Sequence, residues 1–172
     1  AGFENHIGFN ISSSKLQVVE VNYLGDQFKL VNVDETYFND QIDFENDRET
    51  KISALLQGAF DELLIKKNFN SNSASFTLPF ELFYTMQMPY DTTLLYQDLL
   101  DEFKWELSVI YPYISTKNLV LQYFEIDKGP FNETSSALVF AVQRRYLQML
   151  DGFCKKNNLK LKFIDNLHIA AE

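Results

Sequence analysis

One cysteine, Cys154, stands in a chain of 172 residues, so an internal disulfide framework is excluded. That scarcity is compatible with a reducing compartment. Histidine is nearly as rare. His6 and His168 are the only two, and neither falls in a metal-binding spacing such as H-E-x-x-H. No Ser-His-Asp arrangement follows from them, because neither is tied to a nucleophile motif. No apolar run approaches the roughly 20 residues of a membrane span, so direct membrane insertion is not expected. Nor does a basic segment followed by an apolar one open the chain, and no secretory leader is expected. Positive charge is in short supply: 15 Lys and Arg against 24 Asp and Glu give a net charge of −9. This disfavours electrostatic binding to nucleic acid or to anionic lipid. Internal repeats and low-complexity tracts are absent too.

What is there suits an ordinary globular core, with 46% apolar and 23% charged residues. His6–Ile11 alternates as a strand, and Ser12-Ser13-Ser14 makes a turn. A second β-rich run carries Leu16, Val18 and Val19 to Val21, and Phe28, Leu30 and Val33 suggest a third strand beyond a Gly25 turn. Consecutive strands joined this closely make an antiparallel meander. The period then changes. Ile52, Leu55, Leu56, Ala59, Phe60, Leu63 and Leu64 recur at helical spacing, with Asn46 and Glu49 placed as a capping box ahead of them. Ala74–Leu78 is a fourth strand, stopped by Pro79.

A further block opens near Leu82 with a strand over Phe83–Met88. A long helix follows, capped by Asp91 or Thr92 and striped by Leu95, Leu99, Phe103, Leu107 and Ile110. Leu119–Ile126 and Ala137–Val142 are strands around a loop with Gly129-Pro130. Tyr146–Phe153 is another helix, Leu159–Ile164 a last strand, and Asp165 or Asn166 caps a final helix. The order predicts a mixed sheet beside a small α+β unit.

This order, headed by Ile7-Gly8-Phe9-Asn10-Ile11-Ser12-Ser13-Ser14, resembles the first half of actin-like proteins of the PilM/FtsA type. Three further segments carry the likeness. They are Phe76-Thr77-Leu78-Pro79 with Glu81-Leu82; Trp105-Glu106-Leu107 ahead of Tyr111-Pro112; and Ala137–Val142 followed by the Tyr146–Cys154 helix and Phe163–Leu167. Together they span nearly the whole chain. The resemblance implies an α/β fold with an α+β insert. Residues 1–81 and 158–172 would form an actin-like, ribonuclease H-like first subdomain on a mixed five-stranded sheet, and residues 82–157 an FtsA-type inserted subdomain.

The resemblance also implies a site and its erosion. In the family the first strand ends in an Asp-x-Gly turn that wraps nucleotide phosphates, so Asn10, Ser12, Ser13 and Ser14 mark a degenerate nucleotide site. Asn10 has no charge to offer a hard cation where the family has Asp. Ser12 replaces a Gly that allows close backbone approach to phosphate if the turn needs a positive φ. The family's Lys in the second strand falls on Gln17, with Lys15 two residues earlier on the same face. The Ser turn reads either as an anion cradle or as a plain polar hairpin turn.

Trp105 points opposite Phe103 on a polar helical face, where it either packs within its own chain or anchors another protein. PilM-like proteins bind the short cytoplasmic tail of a membrane partner, PilN, in a groove between the first and inserted subdomains. Two functions follow. One is a non-catalytic assembly scaffold, cytoplasmic and peripheral to the inner membrane through its partner. The other is a fragment of an actin-like ATPase. No cofactor or metal is expected of the scaffold. A two-fold homodimer through the final helix, with Leu167 and Ile169 needing apolar cover, is the expected assembly.

Overall fold

The computed structural model describes residues 4–126, 135–165, 167 and 168. They form β1 (His6–Ile11), β2 (Lys15–Leu24), β3 (Gln27–Tyr37), α1 (Glu49–Lys66), β4 (Ser73–Thr77) and β5 (Phe83–Pro89). After these come α2 (Tyr96–Ile110), β6 (Leu119–Ile126), β7 (Ser136–Gln143), α3 (Arg144–Lys156), β8 (Lys160–Ile164) and β9 (Leu167–His168). Two compact units result. One is built by the chain up to Phe80 and again from Arg145; the other is Glu81–Arg144.

The first unit carries a mixed sheet in the order β3-β2-β1-β4-β8-β9. β1, β2 and β3 are the expected antiparallel meander, while β4 lies parallel to β1 and β8 parallel to β4. These five strands are extended by the two-residue β9. Alternation sends Ile7, Phe9 and Ile11 of β1, Leu16 and Val18 of β2, and Ala74 and Phe76 of β4 to a buried face. Ile52, Leu56, Ala59, Phe60 and Leu63 of α1 supply its cover. Four rings join the layers. Phe9 stacks on Phe76 at 5.0 Å between centroids and meets Phe60 edge-on at 5.4 Å. Phe153 of α3 meets Phe9, Phe60 and Phe76 edge-on at 5.9, 5.4 and 5.9 Å.

This cluster corrects the expected boundary. The resemblance gives the Tyr146–Phe153 helix to an insert ending at Asn157, but Phe153, Leu150 and Cys154 are buried in the first unit and the second unit ends at Arg144. Tyr146 adds a second tie, its hydroxyl donating to the Phe44 carbonyl at 2.7 Å. Burial pushes the Cys154 thiol up to about 12, so it is a packed apolar group rather than a nucleophile.

Three local expectations also differ. No side-chain cap closes α1 at Asn46. Instead Asp43 organises the turn before the helix, its Oδ1 accepting the N–H groups of Glu45 and Asn46 at 3.1 Å each. Asp91 likewise makes a turn with Thr93 rather than a cap, and α2 begins only at Tyr96. The final helix is replaced where the chain is described. Asp165 takes φ 48, and Leu167–His168 return antiparallel to Phe163–Ile164. The helical premise for a dimer through Leu167 therefore fails; Ile169 and the Gly129-Pro130 loop lie outside the described residues.

The second unit is a three-stranded antiparallel sheet, β5-β7-β6, with α2 on one face. Leu99, Phe103 and Leu107 pack there against Met86, Leu121 and Val139. The ends of the expected stripe do not join them: Leu95 precedes the helix and Ile110 closes it, and both are exposed. By alternation, the face turned from α2 carries Phe83, Val120, Phe124, Leu138 and Phe140.

Candidate functional site

In open α/β sheets ligands bind beyond the carboxyl ends of parallel strands. In the first unit those ends belong to β1, β4 and β8, and the Ser12-Ser13-Ser14 turn follows β1. Three backbone donors of the turn are spent within it. Ser12 N–H donates to the Lys15 carbonyl at 3.1 Å, and the N–H groups of Ser14 and Lys15 donate to Ser12 Oγ at 3.3 and 3.1 Å. Its carbonyls are engaged as well: Ser13 accepts from Ile42 at 2.8 Å and Ser14 from Phe38 at 2.9 Å. Ser12 is not among the residues at positive φ, so the turn accepts a side chain there without strain. An anion cradle requires backbone N–H groups aimed outward, and in this conformation the Ser12 hydroxyl occupies two of them.

Asn10 lies in a polar row that crosses four strands, in register with Thr77 of β4 and Gln17 of β2, which is itself in register with Glu35 of β3. Its amide donates to Gln17 Oε1 at 2.9 Å, and Gln17 donates in turn to Glu35 at 2.9 Å. Lys15 Nζ reaches the same Glu35 oxygen at 2.9 Å. That bond, and then the one from Gln17, hold the Glu35 carboxyl below its ordinary range, while Glu35 holds Lys15 above its own. Lys15 and Gln17 thus share a face, as the alternation predicts. The row borders a concavity of about 600 Å³ on the sheet's outer face, with Gly8 at its floor and Val19, Val33 and Ser75 around it. Among the described residues, no group of three or more His, Cys, Asp or Glu side chains gathers to hold a metal ion.

Two further groups, one just past the end of β8 and one at the start of β1, escape a reading by motif. Asp165 accepts the Leu78 N–H at 2.9 Å and donates its own N–H to the Phe76 carbonyl at 2.7 Å. Burial raises its carboxyl above the ordinary range, and the Leu78 bond only partly opposes this. His6 is within 2.8 Å of Ser75 Oγ, and desolvation lowers it. Alternation alone places His6 on the outer face, but the αL turn at Asp165 has the same composition as a helix cap.

Trp105 sits in the second unit, away from these groups in sequence. It is 63% exposed while Phe103 is fully buried, and Val109, one turn on, is also exposed. Asp98 and Glu102 share its helical stripe by spacing.

No protein-family model matches the chain, and no curated protein matches it. Solved structures do. A chain of the PilM-PilN type IV pilus biogenesis complex superposes with a TM-score of 0.58 at 16% identity, covering 91% of this chain and 45% of that one. The cytoplasmic domain of EpsL, an inner-membrane component of the type II secretion system of Vibrio cholerae, gives 0.54 at 10% identity, over 93% of this chain and 56% of that one. A Bacteroides thetaiotaomicron protein with an actin-like ATPase fold and unknown function gives 0.46 at 13% identity, over 94% and 51%. This chain spans about half the length of the structures it matches. In fold, the chain is similar to a chain of the PilM-PilN complex and to the EpsL cytoplasmic domain, with the mixed α/β sheet expected from its residues.

Proposed function

We propose that the chain is a non-catalytic scaffold of a type IV pilus or related secretion machine, binding the cytoplasmic tail of a PilN-like membrane protein. The likeness in fold to a chain of the PilM-PilN complex, over 91% of this chain, carries the reading. The polar row supports it. Where an actin-like site needs a carboxylate, Asn10 offers an amide already bonded to Gln17, and in the turn over Ser12, Ser13 and Ser14 the Ser12 hydroxyl takes up the N–H groups of Ser14 and Lys15. In this reading the nucleotide site is degenerate and no cofactor is used. The apolar face of the second unit, with Phe124 and Phe140 in edge contact at 5.7 Å, is the surface assigned to the tail. Trp105 is a second anchor on α2. The protein then works in the cytoplasm, peripheral to the inner membrane through its partner; no helix among the described residues is long and apolar enough to cross a membrane. With a net charge of −9, nucleic acid is not its partner.

An actin-like ATPase, of which this chain is one part, is the second reading, favoured by the polar row at the strand ends. Two titrations separate them. A labelled peptide of a PilN cytoplasmic tail is expected to bind, with anisotropy lost on Phe124→Asp and reduced on Trp105→Ala. Calorimetry with ATP and Mg²⁺ is expected to show no tight binding. A peptide that does not bind, beside an ATP dissociation constant in the low micromolar range, about −8 kcal/mol, would overturn the scaffold and favour the ATPase.

A further inference from the structure

β3 forms one edge of the larger sheet, with β2 as its ladder partner. It is eleven residues long, and Leu30 and Val33 on it are 60% and 61% exposed. An edge strand presents a row of backbone N–H and C=O groups that another strand can pair. The Glu35 N–H belongs to that row: it is held by the side chain of its neighbour Asp34 at 2.8 Å instead of by β2. Alternation turns the backbone groups of Val33 outward with it. Between Leu30 and Asn32 the ladder with β2 shifts, leaving Val31 as an extra residue. The shift inverts the alternation, so Leu30 and Phe28 also turn their backbone groups outward.

The inversion makes the edge complementary to itself. Consider two antiparallel copies of β3 about a two-fold axis between Val31 and Asn32. Leu30 of each then faces Val33 of the other, and Phe28 faces Glu35, with outward backbone groups on both sides. On an uninterrupted strand Leu30 and Val33 would point opposite ways, and this register could not form. Side-chain faces agree too. Leu30 and Val33 pair with Val21 and Val19 on one face of the sheet, while Lys29 and Asp34 pair with Asn22 and Val18 on the other. The same register sets Lys29 opposite the second copy's Asp34, twice by symmetry. Lysine and a bulge are also devices that guard an edge against pairing. A guard, however, works by setting like charges or bare charge at the edge, whereas here the symmetric positions carry opposite ones.

We propose that the outer edge of β3 is a self-pairing surface through which two copies of this chain join into one continuous sheet. On pairing, Asp34 releases the Glu35 N–H to the second copy's strand and turns to the second copy's Lys29. The proposal is independent of tail binding, since it uses no residue of the second unit.

Charge reversal tests it. Light scattering of the full chain from about 1 to about 100 μM is expected to show a concentration-dependent dimer. Lys29→Asp and Asp34→Lys, each placing like charges opposite, are expected to weaken it by about tenfold or more. The double variant Lys29→Asp/Asp34→Lys restores it, and so does mixing the two single variants, whose edges are complementary only to each other. The double variant is read on its own if a single reversal proves unfolded by circular dichroism. A monomer at about 100 μM, or a dimer indifferent to the single reversals, overturns the proposal, as does a folded double variant that fails to dimerise.

Discussion

Replacing Glu20 by alanine is expected to destabilise the first unit by about 3–5 kcal/mol. Glu20 is fully buried on the inner face of β2, in line with Leu16 and Val18. Its Oε1 accepts three donors: Asn70 N–H at 2.7 Å, Ser71 N–H at 2.9 Å and Ser71 Oγ at 2.8 Å. Oε2 accepts the amide of Asn32 across the ladder on β3. One side chain therefore ties Asn70 and Ser71 of the α1–β4 connection to the sheet. Truncation strands these donors. Each buried donor left without a partner costs about 1–3 kcal/mol, but the four act as a unit and water reaches the exposed Asn70 side, so their sum is an upper bound. Glu20→Gln separates hydrogen bonding from charge. Its carbonyl can keep the three loop donors, and its amide can donate to Asn32 once that side chain flips, so it should cost about 2 kcal/mol less than alanine. Urea unfolding followed by far-ultraviolet circular dichroism reads the cost. Hydrogen exchange at Asn70 and Ser71 locates it, with protection lost in Glu20→Ala and largely kept in Glu20→Gln. A Glu20→Ala variant within about 1 kcal/mol of wild type, or a glutamine variant as unstable as the alanine one, would refute the reasoning.

Three further outcomes follow. Phe153→Ala removes a ring touching three others and should cost about 3–5 kcal/mol, read as a lowered urea midpoint for the first unit. Leu99→Ala or Phe103→Ala should cost about 2–5 kcal/mol in the second unit, where Trp105 fluorescence reports unfolding; an unchanged midpoint for both would contradict the packing. Asp165→Asn should stabilise at neutral pH. Burial raises the Asp165 carboxyl, so its protonated form is favoured by folding, and this contribution is present below the ordinary carboxylate range and lost as pH rises through the raised value. Asparagine keeps an acceptor for Leu78 and tolerates the αL backbone. Its advantage over wild type should therefore appear near pH 7 and vanish near pH 3, and an equal advantage at both would exclude burial of charge as the cause.

Period-two and period-3.6 signals were enough to find β1 to β8 and the α-helices α1, α2 and α3, because each segment buries one face and shows it in its residues. What stayed hidden depends on partners distant in sequence. Phe153 lies 77 positions beyond Phe76, and nothing in the Tyr146–Phe153 helix itself says which core its ring enters. Asp43 and Asn46 both suit a turn before a helix, and the choice between them rests on which backbone N–H groups come into reach. A helix cap and an αL turn favour the same residues, so the residues around Asp165 do not separate the two. Glu20 was open to inference: alternation with Leu16 and Val18 places an acid on a buried face, which demands donors, though not which ones.

The second unit enters through β5 and leaves through β7, and these are ladder neighbours, Phe83 lying opposite Val142. Its two chain ends are thus about 5 Å apart, a gap that a tight turn can span. An excision there would ask the Phe9–Phe60–Phe76–Phe153 cluster for no more than a short splice between β4 and α3. A unit joined this way can be shortened or rebuilt with little demand on the core of the first unit.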